Sequence, residues 1–565
     1  MTRTTPRVSF GLYALEIKQD STPACTDIQA FSKVLDLRTD NASSKPLATY
    51  EPDFWLLDGG YKFLPTVTTN VHVGLMSLSM SGADGSFSVS PVLTITFSSV
   101  HSTDGITIRG FQYSDDYPDE LVVAFYDDSD ILIKIDTYNP TSWEFSTEQA
   151  VDDFKKIMIT FNSTNKPFRY LRITSIDYGE LIYFEGTDIK GASIIEQLDP
   201  LSAEIPIDSL ELDLYSDDAT FSVINPTGDY AELQYRQPLA VYEVVDNTTI
   251  FIGQYYLDTW ENKSENEIHF SCIDLLGVLA GMDYKGGIWT TPTKVEDLLT
   301  AILDPIAIPY ELDPDIAVIE LTGWLPICKY REALQQIAFA SGAYVTCSRS
   351  GLIRITKTVL TSERSTYDVA ITTAEIGQDQ SVTLKTLVTG VSLTSHNYVS
   401  NSTSSELFNG SLDAGTYTIT FNEPMHDLSI SGAAISSSGA NYAIIIVSVS
   451  GTVVLSGEGY TDTTRTHEVN NSTLDSNVKL NILSIKTATL ISSSNGDTIA
   501  QHIYDYYQQR YLQKIKLFAP TIEIANQVLL DTLYSQQIRG VVEKMEIDLA
   551  NGFVVQAEIT GVVET

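Results

Sequence analysis

The stretch SLELDLYSDDATFSVINPTGDYAELQYRQPLAVYEVVDNTTIFIGQYYLDTWENKSENEIHFSCIDLLGVLAGMDYKGGIW, residues 209–289, decides the fold. Segments of strand length, with apolar and polar residues alternating, are separated by NPTGD, VDNTT and ENKSEN, which are turn compositions. Its spacing shows no convergent set of His, Cys or carboxylate side chains. The block reads as a small β-barrel that holds a position rather than performs chemistry, spanning residues 191–284.

Moving outward, the strand texture continues. Residues 1–34 form an N-terminal arm with one strand expected at 8–18. Residues 35–190 contain VLTITF (92–97), GITIRGF (105–111), ELVVAFY (120–126), ILIKIDTY (131–138), KKIMITF (155–161) and FRYLRITSIDYG (168–179). Turns rich in Asp, Ser, Asn and Pro separate them, the pattern of a β-sandwich of jelly-roll type. After the barrel the texture changes. TPTKVEDLLTAIL carries a capping box, Thr293 with Glu296, and Val295, Leu298, Leu299 and Ile302 recur at helical spacing. A second helix at 330–340 puts Leu334, Ile337 and Ala338 on one face and ends at Ser341-Gly342. With AYVTCSR and LIRITK these make a small α+β domain at 285–364.

Residues 401–484 are rich in Ser, Thr, Gly and Asn, yet GTYTITF (415–421) and NYAIIIVSVSGTVVL (441–455) still alternate. They read as an inserted β-sandwich. The last block opens with a helix that has Asp497 as N-cap and Ala500, Ile503, Tyr504, Tyr507 and Tyr511 at helical spacing. KIKLFA, RGVVEKMEIDL and GFVVQAEITGVV follow, the last two as a hairpin turning at Asn551-Gly552. Residues 365–400 and 485–565 together make a second, discontinuous strand block. The fold class is mainly β and multidomain.

Composition narrows the function. At 565 residues the chain holds about three to five domains of roughly 100–200 residues. Only 34 basic residues face 73 acidic ones, a net charge of −39. No segment is rich in Lys and Arg, which excludes stable nucleic-acid binding. Such a surplus suits solubility, or an acidic wall past which DNA slides without sticking. Cys25, Cys272, Cys328 and Cys347 contain no CxxC and lack zinc-site spacing; free thiols and a reducing cytoplasm are expected. The N-terminus has no apolar signal core, and the longest apolar run, YAIIIV at 442–447, is too short to cross a bilayer. No membrane anchoring is expected.

Catalytic signatures are lacking. There is no GxSxG, Walker A, HExxH or strand-linked GxGxxG, and His72, His101, His269, His396, His426, His467 and His502 are dispersed. The chain is expected not to be an enzyme and to need no cofactor and no metal. Two acidic loops qualify that. Asp115, Asp116 and Asp119 with Glu120 form one; Asp127 and Asp128 with Asp130 form the other. Oxygen-rich loops on a sandwich can hold calcium, although the spacing is not that of an EF-hand and acidic turns are ordinary. Tyr113 and Tyr117, with Tyr50, Phe54, Trp55 and Tyr61, are candidates for a sugar-stacking platform, although WLL at 55–57 has the look of a core run. Dispersed carboxylates leave a glycosidase pair open.

Particular strings resemble one family. LATYEPDFWLLDGGYKFLP (47–65), YRQPLAVY (235–242), FIGQYYLDTW (251–260), SCIDLLGVL (271–279), YKGGIW (284–289) and GWLPICKYREALQQIAFASGAYVTCSRSG (323–351), with the closing helix and hairpin, are similar to phage and prophage tail baseplate hub proteins. The resemblance covers most of residues 35–400 and 495–565, and its motifs are structural. It implies a homotrimer in which each subunit supplies two tube-like β-barrels. Such a hub ends the tail tube, matches its six-fold symmetry to three-fold, and docks tube or distal tail proteins, baseplate proteins, the tape-measure protein and a spike or tip. DNA would pass without stable binding, and the protein would reside in a virion tail or a phage-tail-like bacteriocin particle assembled in the host cytoplasm. The sandwich at 35–190 and the insertion at 401–484 depart from that pattern. The competing expectation is a carbohydrate-binding adhesin working through the N-terminal sandwich.

Overall fold

In the computed structural model, which describes residues 4–29, 37, 74–111, 115–147, 150–215, 233–245, 248–306, 308–347, 349, 351–364, 366–377, 380–475, 477, 479–517, 522–532, 536–550 and 552–564, the alternation at 209–215 becomes strand Ser209–Tyr215. Leu210, Leu212 and Leu214 are buried while Glu211 and Asp213 face outward, as a period of two requires. The register sets these leucines opposite Cys272, Phe270 and Ile268 of strand Glu267–Ile273. Burying each leucine contributes about 1.5–3 kcal/mol, so the pattern itself fixes which face turns inward.

These strands belong to a 15-stranded sheet. Starting from Ile189–Gln197 it runs through Ser209–Tyr215, Glu267–Ile273, Thr248–Asn262, Pro238–Val245 and Thr4–Tyr13 to Ser175–Glu185. On its other side Ile189–Gln197 pairs antiparallel with Gln537–Asp548, whose hairpin partner is Val554–Val563. The two strand blocks, whose pairing strands lie about 340 residues apart in sequence, therefore share one sheet. They also share one core: Phe10, Leu212, Val241 and Phe270 belong to the same buried cluster as Ile515, Val542, Ile547 and Val555.

The expected first strand stops early. Thr4–Tyr13 is extended, but Leu15–Asp20 is a short helix. That turn buries both Ile17 and Lys18, which successive strand positions on opposite faces would not do. In the sandwich, Thr22–Cys25, Val92–Thr103, Val151–Thr164, Pro118–Tyr126 and Leu132–Tyr138 lie side by side in one five-stranded sheet. A core containing Leu93, Ile95, Phe154, Ile159, Phe161 and Tyr178 fills it.

A third core holds the α+β part. It joins helices Val295–Leu303 and Tyr330–Ser341 to residues of strand Gly390–Ser395 and of helix Gly496–Tyr507. The last helix, grouped by texture with the second strand block, thus packs on the α+β core. Gly342 ends helix Tyr330–Ser341 at φ 71°, a left-handed position that glycine occupies without steric cost. Two expected caps are not formed. Thr293 lies in strand Gly287–Lys294 and donates to the Thr291 carbonyl at 3.0 Å, so the next helix starts without a side-chain cap. Asn495, not Asp497, precedes helix Gly496–Tyr507. In the insertion, two three-stranded sheets contribute Ala443, Ile445 and Val447 from one and Val453 and Leu455 from the other to a small shared core. None of the helices among the described residues is long and apolar enough to cross a membrane.

Candidate functional site

The acidic loops considered as candidates for calcium lie at opposite ends of one strand. Asp115 and Asp116 precede Pro118–Tyr126; Asp127 and Asp128 follow it. Nine residues of strand separate them by about 31 Å at ~3.4 Å per residue, so they form no joint site. Asp116 is buried, with Arg169 Nε at 3.2 Å and Lys166 Nζ at 3.4 Å; these cations already occupy the place an ion would take. Asp127 accepts from the Ser129 and Ile131 amides at 2.9 and 2.8 Å, a turn-closing role. Asp128 accepts from the Ser129 hydroxyl at 3.3 Å, and Asp119 is exposed. Tyr117 sits where loops converge: its carbonyl accepts from the Asn165 amide at 3.0 Å, while the Asn165 side chain donates to the Asp115 carbonyl at 2.8 Å. Tyr113, Tyr50, Phe54, Trp55 and Tyr61, and the whole string at 47–65, lie outside the described residues.

The barrel block does gather polar groups that spacing along the chain concealed. His269 stands across the strand pair from Asp213, with Nδ1 at 2.7 Å from it and Nε2 at 3.0 Å from Glu211. This corrects the expectation of no convergent cluster at 209–289. The group lies on the outward face, as cross-strand pairing of opposite charges. A second group is buried where the barrel meets the α+β core. Glu196 takes a two-pronged contact from Arg349 at 3.0 and 3.1 Å. Asp208 accepts from the Gln197 amide at 2.8 Å, and Asp274 caps helix Leu275–Ala280 through the Gly277 amide at 2.8 Å. Burial, reinforced by Asp274 and Glu196, holds the Asp208 carboxyl well above the usual carboxylate range. Burial raises Asp274 as well.

A third group ties the sandwich to the first strand. Arg109 donates to Glu144 at 2.8 Å and to the Tyr13 hydroxyl at 2.7 Å, and contacts Asp177; Lys18 reaches Asp177 at 2.6 Å. Burial alone would raise Asp177, but Arg109 and Lys18 outweigh it and hold the carboxylate below its usual range.

One cluster has the composition of a nucleophile–base–acid relay. His467 Nδ1 lies 2.6 Å from Asp497 and its Nε2 lies 2.9 Å from Ser395 Oγ. Exposure decides what it does. Ser395 is 1% exposed and His467 2%, and the serine hydroxyl is within 3.2 Å of the Arg465 carbonyl. A nucleophile must reach its substrate; this serine is sealed in the sheet. The line instead fastens strands Gly390–Ser395 and Arg465–Asn470 to helix Gly496–Tyr507. Gly496 makes it fit, because a Cβ there would lie 2.6 Å from His467 Nε2.

His426, Asp427 and Glu458 form the group among the described residues best placed for a metal. However, His426 faces acceptors on both sides, Asp427 at 2.7 Å and the Gly459 carbonyl at 3.0 Å. The Asp427 hydrogen bond, more than the other neighbours, raises its pKa. Acceptors at both nitrogens favour imidazolium, which has no lone pair for a metal. The four cysteines form no disulfide, and burial raises the thiol of each. On the outer face of the seam between the two strand blocks, a cleft of about 360 Å³ is lined by Ser193, Lys516, Glu546, Asp548, Val554 and Gln556.

No family model matches the sequence, and no curated protein matches it. Solved structures similar to it include a tail protein from Neisseria meningitidis MC58, at 11% identity and TM-score 0.39, covering 67% of this chain and 93% of that one. A 43 kDa tail protein of prophage MuSo2 from Shewanella oneidensis is similar at 10% identity and TM-score 0.39, covering 67% and 95%. A family 32 carbohydrate-binding module from C. perfringens NanJ, solved with galactose, is similar at 12% identity and TM-score 0.19, covering 31% and 99%. These scores describe a partial likeness of fold, so the functional reading rests on the geometry of the chain itself.

Proposed function

We propose that the chain is a structural component of a phage or phage-like tail, built as a baseplate hub. Three copies form a ring that ends the tail tube and matches its six-fold symmetry to three-fold. One observation carries this reading: Ile189–Gln197 and Gln537–Asp548 pair and set two strand blocks side by side over one core. A subunit made of two fused strand blocks is what a ring of three needs to meet a ring of six. The polar clusters agree with a structural duty, since the Ser395–His467–Asp497 line, buried at Ser395 and His467, and the Asp208–Asp274–Glu196–Arg349 group, buried at its three carboxylates, are ties between elements.

In this reading the hub has no catalytic duty. Its partners are tube or distal tail proteins, baseplate proteins, the tape-measure protein and a spike or tip. The net charge of −39 suits an inner wall that repels DNA in transit. The protein is placed in the virion tail, or in a phage-tail-like particle. Electron microscopy of the purified full chain tests this. Rings with a three-fold axis and two barrel densities per copy are expected; rings of six copies, or assemblies without a three-fold axis, would overturn it.

A further inference from the structure

Strand Leu132–Tyr138 is the last of its five-stranded sheet. On one side it pairs with Pro118–Tyr126, setting Leu121 opposite Tyr138, Val123 opposite Asp136 and Phe125 opposite Lys134. On the other side no strand follows among the described residues. Edges of this kind are ordinarily blunted by charge, proline or a bulge. This edge carries Lys134, Asp136 and a register shift at Ile133, yet Ile131, Leu132, Ile133 and Ile135 are 64%, 45%, 41% and 54% exposed. Four exposed aliphatic side chains within five residues are not the scattered exposure of an ordinary surface. The apolar stripe also continues inward, because Ala124 lies beside Ile135 and Met158 beside Ala124.

We propose that this strand pairs antiparallel with the same strand of a second copy, about a two-fold axis through Ile135. The charges select the register. With Ile135 opposite Ile135, Lys134 meets Asp136 of the other copy twice. Sliding two residues one way sets Lys134 against Lys134; sliding the other way sets Asp136 against Asp136. Opposite charges across a strand pair attract and like charges repel, so only the central register satisfies both positions. Within one copy the two charges lie 3.9 Å apart and are each about one-third exposed, ready at the edge. A surface that complements itself in both charge and apolar content is what a two-fold contact requires.

The test uses the full chain. Masses of wild type and of the Ile133→Lys/Ile135→Lys variant are compared by sedimentation velocity over a range of concentrations. Both isoleucines are exposed, so the fold tolerates the change. Wild type is expected at twice the mass of the variant. Lys134→Asp and Asp136→Lys are each expected to weaken the pairing about tenfold, roughly 1.4 kcal/mol, and Lys134→Asp/Asp136→Lys together to restore it. Equal masses for wild type and the double-lysine variant would overturn the proposal, whether the edge is bare, self-covered or reserved for another protein. So would a charge swap that fails to restore pairing. The ratio of masses reports the two-fold contact and the variant's absolute mass reports the ring, so the two proposals fail separately.

Discussion

At the scale of single residues, burial separates a relay from a rivet. Ser395, His467 and Asp497 are spaced as a hydrolase would space them, yet the closed sheet turns the same hydrogen bonds into a fastening. The fit depends on Gly496. A methyl group there would meet the His467 ring at 2.6–2.8 Å, forcing the imidazole off Asp497 and Ser395. Gly496→Ala is expected to cost about 1–3 kcal/mol, the usual range for overpacking. It should lower the denaturant midpoint at unchanged slope, and an unaltered midpoint would contradict the packing described. None of this was legible in the sequence. His467 and Asp497 are 30 residues apart, and Asp497 looked like an N-cap because its chemistry and position suit one equally well. Asp213 and His269 were hidden for the same reason: cross-strand neighbours leave no periodic trace when a long connection intervenes.

At the scale of elements, periodicity was legible where one face is buried. Ser209–Tyr215 and Tyr330–Ser341 lie where alternation and helical spacing put them, because each has a continuous apolar face. Helix starts were not, since they depend on where the preceding strand lets go; Thr293 is still in its strand. Helix Leu275–Ala280 shows what an element boundary can store. Its cap, Asp274, and the neighbouring Asp208 have carboxyls raised by burial. Glu196 on strand Ile189–Gln197 and Arg349 after strand Ala343–Cys347 share the site. Arg331 of helix Tyr330–Ser341 acts on Asp274, and Tyr255 and Cys347 complete the surroundings. A carboxyl raised in the fold keeps its proton where the unfolded chain, titrating near ~4, has lost it. The stability it contributes is therefore full below that value and declines as pH rises through the raised one. The thermal midpoint is expected to fall as pH is raised from about 4 toward neutrality. The fall should be shallower in Asp208→Asn/Asp274→Asn; parallel curves would show that these groups do not titrate as described.

At the scale of the whole molecule, texture showed a mainly β chain but did not foretell that two distant strand blocks share a sheet. Each block alternates in the same way, and alternation says which face is buried without naming the neighbour. The pairing of Ile189–Gln197 with Gln537–Asp548 makes the blocks depend on each other. A chain ending after residue 510 is expected to be cleaved readily in limited proteolysis within 189–273, while the full chain resists. A resistant fragment would show that the first block stands alone. The same pairing also sets a clock on synthesis. Strand Ile189–Gln197 leaves the ribosome about 340 residues before its partner, roughly 20–70 s at ~5–20 residues per second. Throughout that interval the growing polypeptide carries an open edge that any neighbouring nascent chain on the same message can capture. Completion of translation thus becomes the checkpoint before which no copy is fit to assemble.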